Sequence, residues 1–157
     1  MFDFNRFVSM LKTELIQHIE SILLGKIEET SNDITSLRES RNNDTKSSAG
    51  DKYETGREMI QIELNKLESL LEKTKQTLHD LLKINTALKH HTVELGSLIL
   101  SEKERYFISV PFGKVLLHNV EYYAISLGSP LAMALRGKKK GDKVIFQQRE
   151  IIIKEIQ

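Results

Sequence analysis

Apolar residues recur at helical spacing over the first ninety residues and at strand spacing over the rest, so the change of period divides the chain. From residue 4 to 37 a stripe of Phe4, Phe7, Val8, Leu11, Leu15, Ile19, Ile22, Leu23, Ile27, Ile34 and Leu37 predicts one long amphipathic helix. Its spacing drifts near Gly25, where a stutter or weak point is expected. Further on, Ile60, Leu64, Leu67, Leu71, Thr74, Leu78, Leu81, Asn85 and Leu88 alternate by four and three, the seam of a two-stranded coiled coil. A buried Asn in such a seam sets register at a cost in stability, the role expected of Asn85. Neither proline precedes residue 111, so nothing forces a kink in either helix.

Each helical stretch holds about 35 residues, roughly 50 Å at 1.5 Å per residue. Residues 41–50 between them are polar and rich in turn formers. Matched lengths and a short connection predict an antiparallel hairpin within one chain, although a parallel homodimer would satisfy the same seam. After His90 come short β-prone runs at 93–100, 106–110, 115–117, 120–125, 144–146 and 151–156, separated by turn signals such as His118-Asn119 and Gln147-Gln148. One short helix interrupts them, with Ser129 as N-cap, Pro130 at its first position and Gly137 just beyond its end. The expected fold class is α+β: a helical coiled-coil hairpin at 1–90, with its turn near 41–56, then a small antiparallel sheet with one helix at 91–157.

Composition narrows the function classes. A net charge of +1 with 29% charged residues leaves no global electrostatic footprint for nucleic acid. Without cysteine there is no disulfide framework, thiolate nucleophile or Cys-type zinc site. No apolar run reaches the roughly 18 residues of a membrane span, and the start lacks a signal peptide's pattern, so a soluble cytoplasmic protein is expected. His18, His79, His90 and His91 show no common metal spacing and read as surface or linker residues.

Gly50-Asp51-Lys52-Tyr53-Glu54 carries the candidate chemistry. Asp51 and Glu54 have the spacing of a capping box, in which Asp51 would cap the second helix and Glu54 reach back. Two carboxylates at the end of a hairpin also suit a hard cation such as Mg²⁺, which prefers oxygen ligands and keeps several waters. Arg41, Lys46, Lys52 and Arg57 surround the pair and suit a nucleic-acid or phosphate-lined channel, or equally a solvated helix end. Lys138-Lys139-Lys140 reads as a solvated turn or as a surface for an acidic partner.

With these segments in hand, the chain resembles the bacterial GreA/GreB transcription elongation factors, which stimulate transcript cleavage by RNA polymerase. Gly50-Asp51-Lys52-Tyr53-Glu54 looks like the family's tip motif Gly-Asp-x-x-Glu. The run Gly128-Ser129-Pro130-Leu131-Ala132-Met133-Ala134-Leu135-Arg136-Gly137-Lys138-Lys139-Lys140-Gly141-Asp142 is similar to its Ser-Pro-[apolar]-Ala-x-x-Leu-x-Gly-Lys-x-x-Gly-Asp stretch. The resemblance implies an FKBP-like C-terminal domain and a hairpin that enters the polymerase's secondary channel. It assigns Asp51 and Glu54 to a Mg²⁺ shared with the polymerase active site, and Ser129, Pro130, Lys138 and Lys139 to docking. It further implies a monomer that meets nascent RNA or DNA only inside the polymerase complex and has no catalytic site of its own. After Glu54 the family usually continues Asn-Ala-Glu-Tyr, whereas this chain has Thr55-Gly56-Arg57-Glu58. The alternatives are a channel-bound regulator without cleavage stimulation and a coiled-coil interaction module without metal chemistry. A prolyl isomerase is a third, for which six Phe, four Tyr and no Trp offer little aromatic lining.

Overall fold

The helical period of the first part is realised as two helices, α1 (Phe4–Asp44) and α2 (Gly50–Leu82), in a computed structural model that describes residues 4–44 and 50–157. The side chains of 4–7, 44 and 51–53 lie outside the described residues, as does all of 45–49, Lys46 included. The stripe members Phe4 and Phe7 therefore have no side-chain description. Residues 41–44, expected in the connection, continue α1 instead. No Pro or Gly occurs between Gly25 and Gly50, so nothing in the polar end of α1 stops it earlier.

Two compact units make up the chain, Ser21–Leu78 and the pairing of Met1–Glu20 with His79–Gln157. In Ser21–Leu78, Leu23, Thr30, Ile34 and Leu64 are buried, and Ile60, Leu67, Leu71, Thr74 and Leu78 are half-buried. Cross-helix bonds fix the direction: Arg38 donates to Glu68 at 2.7 Å and Arg41 donates to Gln61 at 2.7 Å. As the number rises on α1 the partner's number falls on α2, so the helices are antiparallel and the seam closes within one chain. Along α1 the inward positions Leu15, Ile19, Leu23 and Ile27 follow three successive steps of four, where a heptad would alternate. The drift expected near Gly25 is therefore present.

The predicted α2 seam needs one correction. Helix α2 stops at Leu82, Asn85 is exposed, and Leu88 is 55% exposed. Asn85 Oδ1 accepts the Ala87 N–H at 3.0 Å, a side-chain turn that competes with helix. Asn85 thus helps end the helix instead of setting its register.

In the other unit, β1 (Leu98–Ser101), β2 (Arg105–Ser109), β3 (Gly113–Leu117), β4 (Val120–Ser126), β5 (Lys143–Phe146) and β6 (Arg149–Ile156) form one sheet in the order β3-β4-β2-β1-β6-β5. Neighbours are antiparallel except β2 and β4, which run parallel. The sheet is thus mostly antiparallel, as expected; the one parallel pair arises because β4 returns from β3 and inserts between β3 and β2. The run 93–100 becomes strand only from Leu98; Gly96, at φ +89°, turns the chain just before it. His118-Asn119 closes the β3–β4 hairpin and Gln147-Gln148 the β5–β6 hairpin as two-residue turns, every residue at positive φ.

Helix α3 (Pro130–Leu135) covers one sheet face, where Ile99, Tyr106, Ile108, Ile151, Ile153 and Ile156 pack with Ala132 and Leu135. Leu98 and Phe107, which point the other way, are also fully buried, so both faces of the central strands are covered. In the same unit Glu14 of α1 pairs with His118 at 2.8 Å. Among the described residues, no helix is long and apolar enough to cross a membrane.

Candidate functional site at the hairpin turn

Helix α2 opens on Gly50, whose φ of +60° is a conformation that glycine adopts at little cost. Asp51 consequently falls within the first helical turn and Glu54 one step of three later. Positions three apart are neighbours on a helix surface. The side chains of Asp51 and Lys52 lie outside the described residues, while Glu54 is exposed. Carboxylates in a first turn also complement the positive end of the helix dipole, so this placement has a structural use besides any ligand.

Carboxylate oxygens match the preference of Mg²⁺, so the donor chemistry fits that ion. Among the described residues, which leave out the side chain of Asp51, no three of His, Asp or Glu gather as a metal site. Two carboxylates by themselves supply only part of a Mg²⁺ shell. Arg41, expected in the loop, is in the last turn of α1 and braces the hairpin through Gln61. Arg57 is exposed on α2, three residues beyond Glu54.

Gly56 is inside α2, and a Cβ built there would meet nothing within 4 Å. An exposed helical Gly costs about 0.5–1 kcal/mol relative to Ala. Gly56→Ala is therefore expected to stabilise the hairpin by about that amount, read as a higher urea midpoint at unchanged m-value.

The second motif is in the sheet-bearing unit. Ser129 Oγ accepts the Ala132 N–H at 3.2 Å, and Pro130 occupies the first helical position, so the expected cap is formed. Gly137 follows the helix at φ +73°, which turns the chain into the lysine run. The Lys138 carbonyl accepts the Val93 N–H at 2.9 Å, and the Lys139 N–H donates to Asp142 at 2.8 Å, with both lysine side chains exposed. Lys140 is held by Glu155 at 2.6 Å. Asp51, Glu54, Arg41 and Arg57 thus share one unit, and Ser129, Pro130, Lys138 and Lys139 the other.

Two residues escaped sequence reasoning. Lys12 is 1% exposed and donates to the Leu88 carbonyl at 3.1 Å; burial lowers its pKa from 10.5 to about 8. His90, read as surface or linker, is instead 5% exposed. Its Nδ1 meets Glu94 at 2.9 Å, and its Nε2 has no hydrogen-bond partner among the described residues. A Cβ at Gly96 would come within 3.3 Å of that nitrogen, so the glycine makes room for the ring. Lys12 is four residues after Val8, three before Leu15 and seven before Ile19, so helical spacing puts it beside the stripe; nothing comparable marks His90.

Two solved structures are similar over most of the chain. The crystal structure of GreA factor homolog 1 (Gfh1) of Thermus thermophilus is 19% identical, covers 88% of this chain and 94% of its own, and has a TM-score of 0.35. A structure of the transcription factor Gfh1 is 23% identical, covers 88% and 93%, and has a TM-score of 0.35. No family model matches the chain, and no curated protein matches it.

Proposed function

We propose that this chain is a transcription elongation factor of the GreA/GreB type, which binds RNA polymerase and stimulates the polymerase's own cleavage of backtracked RNA. One observation supports the reading above others. The segment that resembles the family's tip motif opens α2, at the end of an antiparallel hairpin where α1 stops and α2 starts.

In this reading Asp51 and Glu54 together offer carboxylate oxygens to a Mg²⁺ supplied at the polymerase active site, and Glu54 is exposed as that role requires. Bound there, Mg²⁺ would activate water and stabilise the charge that develops on the phosphodiester. The two carboxylates would accept hydrogen bonds from that water and orient it. Arg41, Lys46, Lys52 and Arg57 would offset phosphate charge along the channel. Ser129, Pro130, Lys138 and Lys139 would dock the sheet-bearing unit on the polymerase. The chain would act as a cytoplasmic monomer, with no reaction of its own and with RNA and DNA met only in the complex.

The test uses backtracked bacterial polymerase complexes with labelled RNA and Mg²⁺. Added protein is expected to accelerate release of the RNA 3′ end, in proportion to polymerase occupancy, and to leave free RNA uncut. No binding to polymerase would overturn the proposal. Binding without acceleration would leave the channel-bound regulator in its place.

A further inference from the structure

The seam with α1 uses one face of α2, yet large apolar side chains also occupy another face of that helix. Ile62 is 56% exposed and Leu70 is 51% exposed, both within Ser21–Leu78. With Asn65, Lys66, Ser69 and Lys73 they line a shallow, wide-open groove along one face of α2. These positions fall into two consecutive sets spaced i, i+3, i+4 and i+7: 62, 65, 66, 69 and then 66, 69, 70, 73. Four residues so arranged form the hole that receives one side-chain knob of a packed helix. Ser69, the smallest of the lining residues, belongs to both sets and leaves room in each.

We propose that this groove is a docking site for an acidic amphipathic helix of a protein partner. Two holes displaced by four residues accept two apolar knobs one turn apart, which is the spacing of a helix and not of a strand. Charge selects the kind of helix. The only charged residues lining the groove are Lys66 and Lys73. Lys66 meets Glu63 at 3.3 Å in a pair exposed on both sides, which an incoming carboxylate can replace at little cost. Lys73 makes no ion pair among the described residues. A second copy of this chain would bring two Lys66 and two Lys73 side chains onto one seam with no lining carboxylate. A nucleic acid would use the lysines and leave Ile62 and Leu70 uncovered. Ile62 is eight residues beyond Glu54, about 12 Å along the axis at 1.5 Å per residue, so the occupant need not touch the acidic pair.

The probe is a fluorescein-labelled helical peptide with Leu at two positions four apart and Glu flanking them, titrated against the full-length protein. One peptide per chain is expected to bind, and the Ile62→Gln, Leu70→Gln pair to weaken binding about tenfold or more. Gln is a good helix former and both sites are exposed, so the variant should melt within a few degrees of wild type by circular dichroism. Exchanging the peptide's Glu for Lys should also cost about tenfold, and Lys66→Glu with Lys73→Glu should reverse that preference. The proposal is overturned if wild type does not bind the peptide, if the Gln pair binds it unchanged, or if both peptides bind alike. It is equally overturned if wild type sediments as a dimer that the Gln pair abolishes. Displacement of the peptide by single-stranded RNA that needs the lysines but neither Ile62 nor Leu70 would assign the face to nucleic acid.

Discussion

Asp51→Asn combined with Glu54→Gln is expected to slow stimulated cleavage of backtracked RNA by about a hundredfold or more while leaving the protein folded and bound to polymerase. The size follows from the charge that is lost. Removing one preorganised electrostatic partner of a developing negative centre costs about 10²–10³ in rate, and carboxylates that hold a cation act with the same leverage. The substitutions keep side-chain shape, remove the charge and exchange one acceptor oxygen of each carboxylate for an NH₂ donor. Their structural cost is bounded by the helix-dipole contribution, about 0.3–1 kcal/mol for each carboxylate in a first turn. Single-turnover cleavage at saturating protein, with a thermal melt of the same preparation, reads both quantities. Equal rates for the pair and wild type would assign Asp51 and Glu54 to starting α2 and nothing more. A rate loss that more protein restores would point to binding instead of chemistry.

What could be read from the chain follows from which physical signals are local. The seam of α2 was legible because Ile60, Leu64, Leu67, Leu71, Thr74, Leu78 and Leu81 repeat over about three heptads, and each is buried or half-buried. The start of α3 was legible because a capping Ser, a Pro at the first position and a following Gly act through bonds only a few residues long. Pairing partners are not local. The strand period places β2 and β4 but says nothing about their being parallel neighbours. Asn85 fits the seam by spacing and fails it by chemistry, since an Asx turn competes with one more turn of helix.

Polar residues in packed positions were the other blind spot. Thr30 and Lys12 are buried along α1, although residues of these types are mostly exposed in folded proteins. At the site, the three-residue spacing of Asp51 and Glu54 suits a cap and a ligand pair alike, and only the start of α2 at Gly50 puts Asp51 inside the first turn. Whether the pair serves chemistry depends on a partner that no residue of this chain encodes, which is why the double variant carries the question.

Lys12→Met is expected to remove a rise in stability between about pH 8 and 10.5 that the wild type shows. Lys12 is 1% exposed, and burial, with no carboxylate partner among the described residues, lowers its pKa from 10.5 to about 8. Below about pH 8 the folded and unfolded chains both hold the proton, so this group adds no pH dependence. Between that point and 10.5 the folded lysine has released its proton while the unfolded one retains it. The unfolded state then binds more protons, and raising the pH favours folding. Above 10.5 both are neutral and the gain is complete. At about 1.4 kcal/mol per unit, the full displacement corresponds to roughly 3 kcal/mol. The hydrogen bond from Nζ to the Leu88 carbonyl favours the ammonium form, so about 2 kcal/mol is the expected rise. Methionine matches the aliphatic stem and cannot titrate. Urea unfolding of both proteins from pH 7.5 to 10.5 isolates the effect, because tyrosines and other groups common to both cancel in the difference. Wild type should gain on the variant by about 2 kcal/mol across that window; parallel curves would mean that water reaches Lys12 and keeps it charged.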